Sequence, residues 1–187
     1  MNHNGVLCDD DIMLALSEGR IVVHPLYKDS IQPASVDLHL GNEFAIFDRR
    51  NCTLIDCKEP PVMKKYVQDE FIVYPGEMVL ACTDEVVGVP DDMVGRLEGK
   101  SSLARLGLSI HDAGYIDPGN ELKITLELSN QSGLPIKIYH KMPIAQIAFQ
   151  TLTKKALFPY GHPRLKSKYY KDNGVQASKN HLNFEEK

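Results

Sequence analysis

Three groups of residues in this chain have the types and spacing to do chemistry. The first is Gly99-Lys100-Ser101-Ser102, followed by Leu103-Ala104-Arg105-Leu106-Gly107. A helical turn starting at the serines would offer free backbone N–H groups and the positive end of a dipole, with Lys100 just before it and Arg105 one turn on. That is the chemistry of a phosphate seat. It is not the P-loop of nucleotide hydrolases, whose glycines have four residues between them, because only Arg96, Leu97 and Glu98 separate Gly95 from Gly99. An ordinary helix capped by Ser and ended by Gly107, with solvated Lys100 and Arg105, fits the same letters. The second group runs from Asp112 to Gly119 and contains Asp117-Pro118-Gly119, a common turn that is weak evidence alone. The third is Ile124-Thr125-Leu126-Glu127-Leu128. If the three aliphatic residues share one face of a strand, Thr125 and Glu127 share the other. Glu127 then either faces solvent or, with its pKa raised by burial, acts as a general base.

The elements that must position these groups are mostly strands. Asp9-Asp10-Asp11 before an apolar run, with Gly19 after it, predicts a short N-terminal helix. Short β-branched segments follow, at 21–23, 35–40, 71–74, 78–82, 124–128, 136–139 and 144–149, with turns such as Pro75-Gly76 and Ser132-Gly133 between them. The pattern predicts an all-β sandwich or barrel and excludes a parallel α/β sheet. No linker or repeat divides the chain, so residues 1–187 read as one domain. From about Lys154 onward the sequence is basic, with Pro159, Gly161, Pro163 and Gly174, and reads either as a flexible arm or lid or as a tail without a role.

Composition narrows the partners. Formal net charge is -4, which disfavours a broad grip on nucleic acid and leaves phosphate binding to local groups. The chain shows neither a signal-peptide pattern nor an apolar run long enough to span a membrane, and a cytoplasmic location is expected. Cys8, Cys52, Cys57 and Cys82 form no C-x-x-C pair and are expected to be reduced and mostly buried. The seven histidines begin neither H-x-E nor H-E-x-x-H. His39 is expected to be structural, His111 to bond its loop neighbours, and Tyr115 to pack at the edge of a site.

Taken in order, Gln32-Pro33-Ala34-Ser35-Val36-Asp37-Leu38, Glu98 to Gly107, Ala113-Gly114-Tyr115-Ile116-Asp117-Pro118-Gly119, Ile124 to Leu128, the Gln146 segment and Lys168-Tyr169 resemble the dCTP deaminase family of the trimeric dUTPase superfamily. The resemblance runs from about Leu7 to Ser178. It implies a distorted β jelly-roll barrel with a short N-terminal helix, a homotrimer with sites between subunits, and deamination of dCTP to dUTP and ammonia. Most nucleobase deaminases activate water on zinc, held by a His and Cys signature that this sequence lacks. The resemblance instead makes Glu127 the general base for water attacking C4 of cytosine. Ser101 and Arg105 hold the water and stabilise developing charge, and the Ala113 carbonyl contributes to the water site.

The same resemblance assigns triphosphate binding to Lys100, Ser102, Gln146, Tyr160, Lys166 and Lys168. Mg²⁺ is carried on the phosphates, and the arm closes over the ligand. Gly114-Tyr115-Ile116-Asp117 is similar to members that go on to dUMP and pyrophosphate, with Tyr115 and Ile116 at the substrate and Asp117 orienting water and binding the sugar 3′-hydroxyl. dUTP and dTTP are further expected ligands. Alternatives are an enzyme stopping at dUTP, a dUTPase only, and an inactive nucleotide-binding regulator.

The chain departs from the family in four places. His111-Asp112-Ala113 is one residue short and lacks the usual Thr, which bears on dTTP inhibition. Asn120 replaces an aromatic that packs near the sugar, which bears on discrimination against ribose. Leu122 replaces Gly beside the strand of Glu127. Asp172 stands where the arm usually has Gln.

Overall fold

The computed structural model describes residues 5–110 and 113–185. Three aspartates open the first helix, α1 (Asp9–Ser17), where carboxylates oppose the positive end of its dipole. It buries Ile12 and Ala15 and stops before Gly19, which adopts φ +65°. Eight strands and a single helical turn follow: β1 (Val22–His24), β2 (Ile31–Gln32), β3 (Ser35–Phe47), β4 (Met63–Val67), β5 (Glu70–Val73), β6 (Met78–Gly88), β7 (Met93–Gly99), α2 (Ser101–Ala104) and β8 (Leu108–Ser109). Four more strands complete the set: β9 (Tyr115–Ile116), β10 (Glu121–Asn130), β11 (Ile136–Tyr139) and β12 (Pro143–Thr151).

Among the described residues the main sheet runs β8-β10-β6-β3-β12-β7-β9 in antiparallel pairs, and β5 and β11 form a separate ribbon. The first half of β3 pairs with β12 and β2, and its second half with β6 and β4. One strand therefore passes between two walls, and the sheet curls into the distorted jelly roll that the resemblance implied, in keeping with the sandwich or barrel expected from many short strands. The core holds Leu38, Leu40, Phe44, Leu126, Leu128, Ile144 and Phe149, all fully buried, with Phe44 stacked on Phe71 at 4.6 Å.

β6 is irregular where it passes β10. Lys123 pairs with Val86 and Thr125 with Cys82, so β6 advances four residues while β10 advances two. Thr83 fills the gap: its Oγ1 accepts the Ile124 N–H at 3.0 Å and donates to the Glu85 carbonyl at 2.8 Å. The displaced Glu85 is buried against His39, accepting from its backbone N–H and meeting Nδ1 at 2.6 Å. Burial pushes the Glu85 carboxyl up, and these bonds oppose the shift. His39 is thus structural, and its ring lies 4.1 Å from that of Tyr27.

Two expectations need correction. Lys100, not a serine, occupies the cap position of α2 and makes no side-chain cap bond, so Ser101 is already inside the turn. The cysteines are free but not mostly buried: Cys8 and Cys57 are exposed and Cys52 half-buried, because they lie at the helix entry and in the β3–β4 loop, away from the core. Only Cys82 is buried, and burial pushes its thiol up to about 11. No helix among the described residues is long and apolar enough to cross a membrane.

Candidate active site

β10 is positioned by alternation. Ile124, Leu126 and Leu128 are buried, and Thr125 and Glu127 are half-buried on the opposite face. Burial of each aliphatic side chain is worth about 1.5–3 kcal/mol, and a slip by one residue would send Glu127 into the core instead. The register is therefore fixed by the residues that do no chemistry.

Glu127 and Thr125 face a cavity of about 560 Å³, within the range of small-molecule sites. Ala113, Tyr115, Ile116, Asp117 and Tyr160 line it with them. Asp117 and Tyr160 also border an adjoining groove of about 420 Å³ that carries Lys166 and Lys168. The Lys168 Nζ reaches Asn183 Oδ1 at 2.6 Å. Burial pushes the Asp117 carboxyl above its ordinary value. Burial likewise raises the Tyr160 hydroxyl, although that oxygen accepts the Tyr169 backbone N–H at 3.2 Å. Tyr115 is exposed, with the Arg96 guanidinium 5.9 Å from its ring centre. Ile116 offers the cavity little side chain, being 5% exposed and packed into the core beside Gly95.

The turn carrying Asp117 is tightly held. Gly119 has φ +83°, and its N–H donates to the Val89 carbonyl at 2.9 Å. The Tyr160 N–H donates to the Pro118 carbonyl at 2.8 Å, bringing the arm to the turn. Gly114 lies so near β7 that an added Cβ would stand 2.5 Å from the Leu97 carbonyl oxygen.

The arm folds back over the cavity. The Gln176 N–H donates to Thr125 Oγ1 at 3.2 Å, and Val175 is buried in a small cluster with Leu80 and Cys82. Lys179 clamps the segment, reaching both Asp172 carboxylate oxygens at 3.1 Å and the Lys168 carbonyl at 2.7 Å. The Asp that replaces the expected Gln thus serves as an anchor within the arm. The β3–β4 loop covers another side, with Ile55, Asp56, Cys57 and Glu59 on the wall, and Asn180 of the arm donates to the Cys57 carbonyl at 2.9 Å. Sequence reasoning missed this loop, whose polar, irregular letters carry no periodic signal.

The remaining predicted site residues stand apart. Ser101, Ser102 and Arg105 are exposed on and just after α2, and neither they nor Lys100 nor Gln146 line the cavity. Arg105 does lie one turn above Ser101, its N–H donating to the Ser101 carbonyl at 3.1 Å. Lys100 is not a free cation: its Nζ meets Asp37 Oδ2 at 2.6 Å. Gln146 accepts from Ser35 at 3.2 Å and pairs across the sheet with both Asp37 and Glu98. His111 and Asp112 lie outside the described residues. No three His, Cys, Asp or Glu side chains among the described residues are grouped to hold a metal ion.

Residues 6–152 match the family model described as dCTP deaminase-like. Among curated proteins, the chain is 42% identical to one named dCTP deaminase, dUMP-forming, from Methanobrevibacter smithii, over 96% of this chain and 97% of that one. A protein of the same name from Corynebacterium jeikeium is 45% identical over 96% of this chain and 99% of its own length. Among solved structures, the 2′-deoxycytidine 5′-triphosphate deaminase of Agrobacterium tumefaciens superposes with a TM-score of 0.64 at 21% identity, over 79% of this chain. This chain spans 48% of that larger one, and the likeness is one of fold. With most of its length inside the family model and its relatives aligned nearly end to end, the chain belongs to the dCTP deaminase-like family.

Proposed function

We propose that the protein deaminates dCTP and carries the product on to dUMP and pyrophosphate. The observation that carries this reading is the placement of Glu127 and Asp117 on the wall of one cavity, in a chain whose relatives are named dUMP-forming dCTP deaminases. Two carboxylates in one site can serve two hydrolytic steps. In the first, Glu127 takes a proton from water as its oxygen bonds to C4 of cytosine, and that proton passes to N3. Glu127 then moves the proton of the new C4 hydroxyl to the amino group, the C4–N bond breaks, and ammonia leaves a uracil ring with a C4 carbonyl. In the second, Asp117 binds the sugar 3′-hydroxyl and orients a water whose oxygen bonds to the α-phosphorus as the bond from that phosphorus to the bridging oxygen breaks, so pyrophosphate departs and the water's proton goes to solvent.

Charge sets the direction of the substrate. Asp56, Glu59, Asp117, Glu127 and Asp172 line the cavity with Lys123, so its interior suits an uncharged base and repels phosphate. The triphosphate then extends toward Lys166 and Lys168 in the adjoining groove, with Tyr160 at the boundary. Mg²⁺ would enter with the substrate, held by its phosphates, and would supply charge neutralisation there, which needs few protein ligands.

Ser101, Ser102, Arg105, Lys100 and Gln146 complete the site from a second copy of the chain. They form a basic, hydroxyl-bearing patch outside the cavity, and a homotrimer with shared sites supplies them to a neighbour. Release of Lys100 from Asp37 accompanies phosphate binding in this scheme. The test is incubation with dCTP and Mg²⁺ while following ammonia, dUTP, dUMP and pyrophosphate, with and without a zinc-selective chelator. Equal yields of ammonia and pyrophosphate, insensitive to the chelator, are expected. Accumulation of dUTP alone would remove the second step, and loss of ammonia on chelation would replace Glu127 with zinc chemistry.

A further inference from the structure

Asn120 is 5% exposed yet lines the cavity beside Asp117. Its backbone is fixed twice: its N–H donates to the Asp117 carbonyl at 3.2 Å and its carbonyl accepts the Val89 N–H at 2.9 Å. Its side chain is fixed as well. The Lys171 N–H of the arm donates to the amide oxygen at 3.4 Å, and an N–H can be received only by oxygen, so the two faces of the amide are told apart. The NH₂ group is then left over. None of the hydrogen bonds among the described residues uses it, and it keeps some exposure to the cavity that Asn120 lines. A ligand in the cavity can therefore supply its partner.

We infer that Asn120 is a substrate-contacting specificity residue, whose amide NH₂ donates to the oxygen of the nucleotide's 3′-hydroxyl while that hydroxyl donates to Asp117. The inference rests on the proposed reading of the cavity as a deoxynucleotide site. Its chemistry is complementary: a hydroxyl needs one acceptor and offers lone pairs, and a carboxylate beside an orphan donor supplies both halves. The arm takes part, because docking of Lys171 turns the amide into the donating orientation. A site that hydrogen-bonds a substrate hydroxyl rejects the analogue lacking it, since the polar groups are then left unpaired.

The experiment compares dCTP with 2′,3′-dideoxy-CTP, by kcat/KM for ammonia release and by dissociation constant, in the wild type, Asn120→Leu and Asn120→Asp. Asn120→Asp keeps the acceptor for Lys171 and removes the donor, and the charge it adds acts on both nucleotides alike. In both variants the preference for dCTP over the dideoxy nucleotide, in kcat/KM and in affinity, falls about tenfold. Equal losses on both nucleotides, or no loss on either, would overturn the inference. A wild type that binds dCTP in preference to its dideoxy analogue but releases no ammonia would sink the deaminase reading and leave this contact standing.

Discussion

In the proposed second step Asp117 has to be ionised to orient water, yet its surroundings oppose the charge. Burial raises its pKa above the ordinary value near 4, so the folded state holds its proton more tightly than the unfolded chain does. The contribution to stability is fully present below that ordinary value and is lost as pH rises through the raised one. At neutral pH the ionised carboxylate therefore costs stability. Asp117→Asn should melt at a higher temperature than the wild type at pH 7, with the difference closing toward pH 4, while pyrophosphate release falls. A melting series across that interval checks it; a variant less stable than the wild type at pH 7 would count against the burial argument. At the same scale, Asp117, Glu127, Ser101 and Arg105 were nameable from their order along the chain, because motif spacing survives in sequence. The pairing of Lys100 with Asp37 was not, because it joins residues 63 positions apart.

Among elements, the turn from Asp117 to Asn120 is the most constrained. Gly119 combines φ +83° with a neighbour that leaves no room, since an added Cβ would lie 2.7 Å from Pro159 Cβ. Gly119→Ala should lower stability by about 1–3 kcal/mol in a urea titration and displace the Pro159-Tyr160 contact. An unchanged midpoint would show that the turn can relax. The arm is held by Val175, Lys179 and the Gln176–Thr125 bond. Truncation after Thr153 should therefore raise the KM for dCTP at least tenfold and open the cavity to water; unchanged kinetics would make the arm a tail. The strands around Ile124, Ile136 and Ile144 were legible because β-branched alternation marks a half-buried strand. β4 was not, since Met63-Lys64-Lys65-Tyr66-Val67 has two adjacent lysines that break any apolar–polar alternation, and it pairs on one edge only. β7 was obscured by Gly95 and Gly99, which read as loop letters but serve close packing against Ile116 and Ile110.

At the scale of the whole molecule, the candidate residues fall into two patches, and a second copy of the chain is what unites them in the proposed trimer. Sequence order alone could not show this separation, because motif spacing is blind to which chain supplies each residue. Co-expression of Arg105→Ala with Glu127→Gln tests it. Each variant alone should be nearly inactive. Random mixing gives an intact site only where the cavity comes from the first variant and α2 from the second, one half times one half, so about a quarter of wild-type activity should return. No recovery would place both patches in one chain's site.

The proposed deamination turns on the proton carrier, and the most direct measurement is ammonia release by Glu127→Gln set beside its dCTP affinity and its turnover of added dUTP. Ammonia release should fall by about 10²–10⁴-fold, the usual worth of a general base, while dCTP binding and conversion of dUTP to dUMP stay near wild type. Ammonia release at the wild-type rate would contradict the account.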